Sequence, residues 1–248
     1  MTKSGGKRHT KRIASPKTWP IRRKGNVFVP KMSAGSHKKE AALPLVVLLR
    51  DVLRVATTRK EVKYMLTKKR VEVDGRARVN ERFPVGHMDI VRFVPNNTYY
   101  RVQYHKSGKV LPFEIDENEA KSKLVKITGK RNVRGGKTQI SFHDGRNILL
   151  ENSDKRLDDI KVNGTLKISV PEQEIQEIFH LSEDSIAMVT EGHHQGKIGR
   201  ITEVIKRYGP RASQVSFLEE NNDENPEFST ALEYVFVIGD SQPAVSIH

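Results

Sequence analysis

Residues 187–204 read AMVTEGHHQGKIGRITEV: a short apolar run, a loop with glycines at Gly192, Gly196 and Gly199, and a second apolar run. Glycine takes up positive φ without strain and lets one backbone approach another closely. The spacing therefore predicts a tightly bent loop joining two short barrel strands. Val189, Ile198, Ile201 and Val204 can face inward, which leaves His193, His194, Lys197 and Arg200 at the rim. The plainer alternative is an ordinary glycine-rich hairpin.

Composition supplies an independent constraint. Lysine and arginine number 44 against 30 acidic residues in 248, a formal net charge of +14. Such an excess says little about fold, but it names a polyanion as the obvious partner. The longest apolar run, 43–49, falls far short of the roughly 18 residues a membrane span needs, and the charged N-terminus has no apolar core behind it. The chain has no cysteine. That excludes disulfides, thiolate zinc sites and a cysteine nucleophile together. A cytoplasmic protein without cofactor or small-molecule substrate is expected, built as one or two ordinary domains or three small ones.

The charge is unevenly placed. Residues 1–42 form a basic arm in which Lys7, Arg8, Lys11, Arg12, Lys17, Arg22, Arg23, Lys24, Lys38 and Lys39 meet no acidic residue before Glu40. With several Gly and Pro and few large apolar residues, the arm should be mobile when free and removable with the rest still folded. On a phosphate lattice it would order by counterion release. Trp19 and Phe28 are the exceptions; each could stack on a base or pin the arm to the protein. By contrast the late loop ENNDENPE is acidic and is expected to face solvent or a protein neighbour.

Residues 43–98 read as the first compact unit. Pro44 suits the first turn of a helix carrying Leu45, Leu48, Leu49, Val52 and Leu53, with Arg50 and Arg54 on the opposite side. Thr58 followed by Glu61 predicts a capping box for a second helix, its exposed face bearing Arg59 and Lys63. VEVDGRARV then alternates about Asp74-Gly75, a strong type I′ hairpin signal that displays Arg76 and Arg78. This order resembles the alpha-L RNA-binding domain (the S-four fold), most specifically over TTRKEVKYMLTKKRVEVDGRARV. The family's usual Gly-Asp before the last strand is here Gly86-His87-Met88-Asp89. The resemblance implies that Arg50, Arg54, Thr58, Arg59 and Lys63 face RNA phosphates, and less securely Arg76 and Arg78.

Residues 99–175 alternate short strands with glycine turns and predict a central β domain. A short polar helix is expected near 117–124, and a hairpin at Asn163-Gly164. Lys130, Arg131 and Arg134 lie in or beside a glycine loop able to hold phosphate. Residues 176–248 complete the chain as a barrel with its C-terminal segment. Three patterns mimic catalysis. Arg156-Leu157-Asp158 echoes pseudouridine synthases but lacks the threonine-glycine that should follow. His193-His194 has no further ligand at metal spacing. Ser141, His143 and Asp144 are too close along one strand to form a triad. No catalytic residue and no metal site is expected.

The glycine loop itself resembles the KOW motif of small SH3-like barrels in ribosomal and transcription-elongation proteins. Taken end to end, KRHTKRIASPKTWPI, SAGSHKKEAALPL, PVGHMDIVRF, SFHDGRNI, AMVTEGHHQGKIGRIT and YVFVIG resemble the S-four-e family of archaeal and eukaryotic small-subunit ribosomal proteins. SAGSHKK, and no long basic tail after Ile238-Gly239, resemble the archaeal type. The resemblance implies an α+β multi-module protein: extended basic arm, alpha-L domain, central all-β domain and C-terminal SH3-like barrel. It further implies binding to small-subunit ribosomal RNA, in its 5′ domain, among neighbouring small-subunit ribosomal proteins. The rival reading is a free RNA-binding regulator or an elongation-type KOW factor. Sedimentation of the native protein in a high-salt gradient, with or apart from small subunits, separates the two.

Overall fold

A computed structural model describes residues 9–207, 212–219 and 227–247. The described residues are mostly β, with three five-stranded antiparallel sheets among them. They begin with two short paired strands, β1 (Thr10–Lys11) and β2 (Phe28–Val29). Strand β3 (Ala42–Pro44) pairs with β6 (Pro84–Gly86). Pro44 is thus the extended cap of the first helix rather than part of its first turn. Helix α1 (Leu45–Val47) runs on as a π-turn over Leu48–Val52. Leu45, Val46, Val47, Leu48 and Leu49 are all fully buried, as a helix apolar all round must be.

Helix α2 (Arg59–Thr67) begins at the expected capping box, with both the Thr58 side chain and the Glu61 side chain engaged. Strands β4 (Val71–Val73) and β5 (Arg76–Ala77) are joined by Asp74 and Gly75 at φ +50° and +70°. Two successive positive φ values define the type I′ turn, and Gly75 supplies its second without strain. Next come β7 (Ile90–Phe93), β8 (Thr98–Tyr104) and β9 (Val110–Ile115). The first sheet has the order β5-β4-β7-β8-β9.

This order moves one expected boundary. A break at residue 98 would separate β7 from β8, yet the two are hydrogen-bonded neighbours with Ile90 opposite Arg101 and Phe93 opposite Thr98. Alternation reports that a segment is a strand, not which sheet receives it. The 98–115 hairpin extends the first sheet. A 3₁₀ turn at Glu119–Lys121 replaces the expected helix, and Leu124 already lies inside a strand.

The second sheet is built from β10 (Ser122–Val133), β11 (Lys137–Phe142), β12 (Asn147–Glu151), β13 (Thr165–Ser169) and β14 (Ile175–Phe179), ordered β12-β11-β10-β13-β14. A single-turn helix α3 (Arg156–Asp159) precedes β13. Asn163-Gly164 is not a two-residue hairpin: Asn163 has positive φ, but β13 pairs with β10 and β14. Val125, Ile127, Ile140, Phe142, Leu166 and Ile168 form this sheet's own core.

The third sheet comprises β15 (Ile186–Val189), β16 (Ile198–Ile205), β17 (Gln214–Leu218), β18 (Glu227–Ala231) and β19 (Val235–Gly239), ordered β18-β17-β16-β15-β19. Its buried residues join those of the first sheet and its helices in one cluster that also takes in Trp19 and Val29. Gly196 shows why the loop between β15 and β16 needs glycine. Its φ is +85°, and an added Cβ would sit 2.1 Å from the His105 carbonyl oxygen on the β8–β9 turn. The C-terminal segment returns to the first sheet. Ser246 donates from its amide and hydroxyl to Glu119 at 2.7 and 2.8 Å, and its carbonyl accepts from Gln103 at 2.7 Å.

Candidate nucleic-acid interface

Of the arm's cations, Lys7 and Arg8 lie outside the described residues. Lys11, Lys17, Arg22, Lys24, Lys38 and Lys39 are exposed. Arg12 and Arg23 instead hold the arm's own backbone. Arg12 is buried and donates to the Arg22 carbonyl. Arg23 donates to the carbonyls of Ile13, Ser15 and Pro16 at 3.0, 2.8 and 3.0 Å. Trp19 leaves no ring face for a base: it is 2% exposed, and its indole N–H donates to the Ala42 carbonyl at 2.7 Å. The described arm is therefore docked, because a single buried indole anchors a segment otherwise poor in apolar residues.

Around the helices, Arg54 and Lys63 are exposed, Arg50 pairs with Asp51 at 2.7 Å, and Arg59 pairs with Glu81. Thr58 is committed to its cap, accepting from the Glu61 amide at 3.3 Å. Arg50 and Arg59 meet the arm in a cleft of about 320 Å³, alongside His9, Phe28 and Arg82. Phe28 is 56% exposed. An exposed aromatic ring, with the His9 ring tilted against it at 5.5 Å, beside guanidinium groups suits a stacked base and its phosphates. Sequence reading did not bring these together, because Arg59 stands 50 positions after His9 and nothing local links them.

The remaining candidates divide similarly. Arg131 and Arg134 are exposed near the β10–β11 turn. Lys130 turns back, its ammonium donating to the Leu157 carbonyl at 2.6 Å. In the glycine loop His193 is exposed, while His194 packs 4.9 Å from the Phe228 ring. Lys197 is paired with Glu219 at 2.8 Å and lies over Phe228. Arg200 is half-buried and donates to the Asp184 carbonyl at 3.4 Å. Arg76 is exposed; Arg78 is half-buried, 4.2 Å over the Phe83 ring.

Sequence reading missed the most charged buried feature altogether. Lys123, fully buried, reaches Asp89 at 2.6 Å, Asp74 at 2.9 Å and Asp144 at 3.1 Å. Arg146 reaches Asp74 at 2.5 Å and Asp144 at 3.3 Å, and His37 of the arm meets Asp89 at 2.9 Å. Burial would lower the Lys123 ammonium's pKa, but the three carboxylates together raise it. Burial would likewise raise Asp89, yet His37 and Lys123 hold it well below the usual carboxylate range. For Asp74 burial wins, and its pKa is raised. The group ties arm, first sheet and second sheet together.

Residues 96–175 match the profile of Ribosomal family S4e, and residues 4–40 match the RS4NT (NUC023) domain. A small ribosomal subunit protein eS4 from Ignicoccus hospitalis is 40% identical over 247 residues, covering 98% of this chain and 96% of its own. The chain belongs to Ribosomal family S4e. An eS4 from Methanocaldococcus jannaschii is 37% identical with both chains fully covered. The crystal structure of the 30S ribosomal protein S4e from Thermoplasma acidophilum superposes with a TM-score of 0.66. It is 30% identical and covers 81% of this chain and 95% of its own.

In this S4e chain the residues that mimicked a triad are structural. His143 accepts from the Lys126 amide at 3.1 Å and donates to the His87 carbonyl at 3.3 Å, which fixes a neutral tautomer. Burial pushes His143 down to about 4, and burial also holds His87, packed between Tyr104 and Phe236, well below the ordinary histidine value. The unfolded chain then binds protons that the folded chain refuses between about pH 6.5 and 4. Stability should fall as pH drops through that window, by about 1.4 kcal/mol per pH unit for each histidine. The raised Asp74 acts in the opposite sense and trims the slope. Urea unfolding measured from pH 7 to 4.5 checks this; a flat profile would mean that the histidines are not buried neutral.

Proposed function

We propose that this chain is a structural constituent of the small ribosomal subunit, with no catalytic role. The carrying observation is its match, over essentially its whole length, to small ribosomal subunit proteins eS4. It binds and stabilises small-subunit ribosomal RNA beside neighbouring small-subunit proteins. No described helix is long and apolar enough to cross a membrane.

The finer architecture belongs to the same reading. Residues 1–42 are the basic arm, and the unit opening at residue 43 is an alpha-L domain whose sheet continues through the 98–115 hairpin. A central β domain follows through the end of β14 at Phe179, four residues beyond the expected boundary, because β14 pairs with β13. The residues after it hold a KOW barrel, supported by the glycine loop that joins β15 to β16. The RNA contacts fall to cations that the fold leaves exposed: Lys11, Lys17, Arg22, Lys24, Lys38 and Lys39 on the arm, Arg54, Lys63 and Arg76 on the first unit, and Arg131 and Arg134 on the second sheet. Arg50, Arg59 and Phe28 join them at the arm–helix cleft.

The mechanism is electrostatic clamping. Folded units fix the spacing of several cationic faces, and each neutralised phosphate releases counterions and lowers RNA self-repulsion. With about eight to ten phosphates neutralised, the log–log salt dependence of binding to a small-subunit RNA fragment should have a slope of about −6 to −9. Filter binding between 50 and 300 mM KCl measures it. A slope near −2 would remove the clamp.

A further inference from the structure

The Asp74-Gly75 turn carries two arginines to the mouth of a cavity of about 300 Å³ that opens above the buried charged group. Gly35 and Ser36 of the arm, Arg76 and Arg78 of the hairpin, Phe83, and Arg146 of the second sheet line it. Its floor is Asp74, Asp89 and Asp144. Those carboxylates are already engaged by Lys123, Arg146 and His37, and Arg76 and Arg78 add two positive charges at the mouth.

Neither of these two has a carboxylate within ion-pair distance among the described residues. Arg78 is fixed by its stacking on Phe83, and its Nε–H is buried with no hydrogen-bond partner. Burial lowers its pKa, and the like charges of Arg76 and Arg146 lower it further. Guanidinium groups crowded against one another and left with an unspent N–H fit a tetrahedral oxyanion, which accepts from several planar forks at once.

We infer that this cavity is a phosphate site, filled by one backbone phosphate of the bound RNA. The inference rests on the RNA-binding reading above and adds to it a specific contact at the junction of arm, hairpin and second sheet. A phosphate there bridges Arg76 and Arg78 to Arg146, so RNA binding tightens the same junction that Lys123 holds from beneath.

The test uses the full chain and a small-subunit RNA transcript, with Arg76→Gln and the double variant Arg76→Gln/Arg78→Gln. Arg76 is exposed, so its replacement leaves the fold intact, which thermal melting verifies. The double variant should bind about tenfold more weakly near 0.1 M salt, with a log–log slope shallower by about 0.7–0.9, the share of one phosphate. If the wild type binds steeply and both variants keep its affinity and slope, the site is overturned while the RNA-binding reading stands. If the wild type shows no steep salt dependence, that reading fails and takes the site with it. Inorganic phosphate separates the two sources of the anion. Stabilisation of the wild type but not the double variant by 10 mM phosphate, with RNA binding unchanged between them, would assign the cavity to the free ion and overturn the RNA contact.

Discussion

Replacing Lys123 by alanine should lower the free energy of unfolding by about 3–5 kcal/mol, the cost of removing one partner from a buried ion pair. Three carboxylates would then share one guanidinium, from Arg146, and one imidazole, from His37. Water cannot compensate, because Asp74, Asp89 and Asp144 are each no more than 5% exposed. The sign of the pH effect makes this test specific. Without the ammonium the carboxylate pKa values rise in the folded state, so the folded variant takes up protons that the unfolded chain does not. The deficit relative to wild type should therefore shrink as pH falls from 7 to 5. A variant that also carries Asp89→Asn should recover part of the loss at pH 7. Chemical denaturation of both variants across that range decides the matter, and a loss below 1 kcal/mol would show the cluster to be solvated.

Trp19→Ala should cost a similar amount, about 3–5 kcal/mol, as large-to-small changes of buried aromatics do. The indole lies in the cluster shared by the helices and the first and third sheets, and the Ala42 carbonyl would lose its donor. This reverses one expectation drawn from composition. A chain cut after Lys39 loses Trp19, Val29 and His37, all buried, so it should melt well below the full chain rather than keep its units intact. Differential scanning calorimetry of Trp19→Ala and of the truncation compares the two. Unchanged transitions in both would return the arm to the status of a loose tail.

These two residues also show what sequence patterns can and cannot reach. The second helix was legible because a capping box works through neighbours three residues apart. The Asp74-Gly75 turn and the glycine loop were legible because backbone geometry restricts which residues fit. Lys123 was not legible. A lysine in a strand that also carries Lys126, Lys130 and Arg131 reads as one more solvent-facing cation, and its partners stand at 74, 89 and 144, on elements that only the fold brings together. The same distance hid the meeting of His9 and Phe28 with Arg59, whereas the pairing of β8 with β7 was hidden because alternation marks a strand without saying which sheet receives it. Charge counting named a polyanion correctly in kind, but it could not separate Arg22, which is exposed, from Arg23, which is occupied by three backbone carbonyls.

Ser246 lies 143 positions from the Gln103 side chain it accepts from, and Val245 beside it is buried. Synthesis runs from N- to C-terminus, so the first five-stranded sheet waits for a segment made 143 positions after Gln103 before its contacts are complete. Until then Gln103 lacks its acceptor and Glu119 is held by Arg101 alone. Closure of this junction therefore awaits residues 245–247, and pulse-labelled proteolysis should show protection of the 98–121 region only once residue 247 has left the exit tunnel.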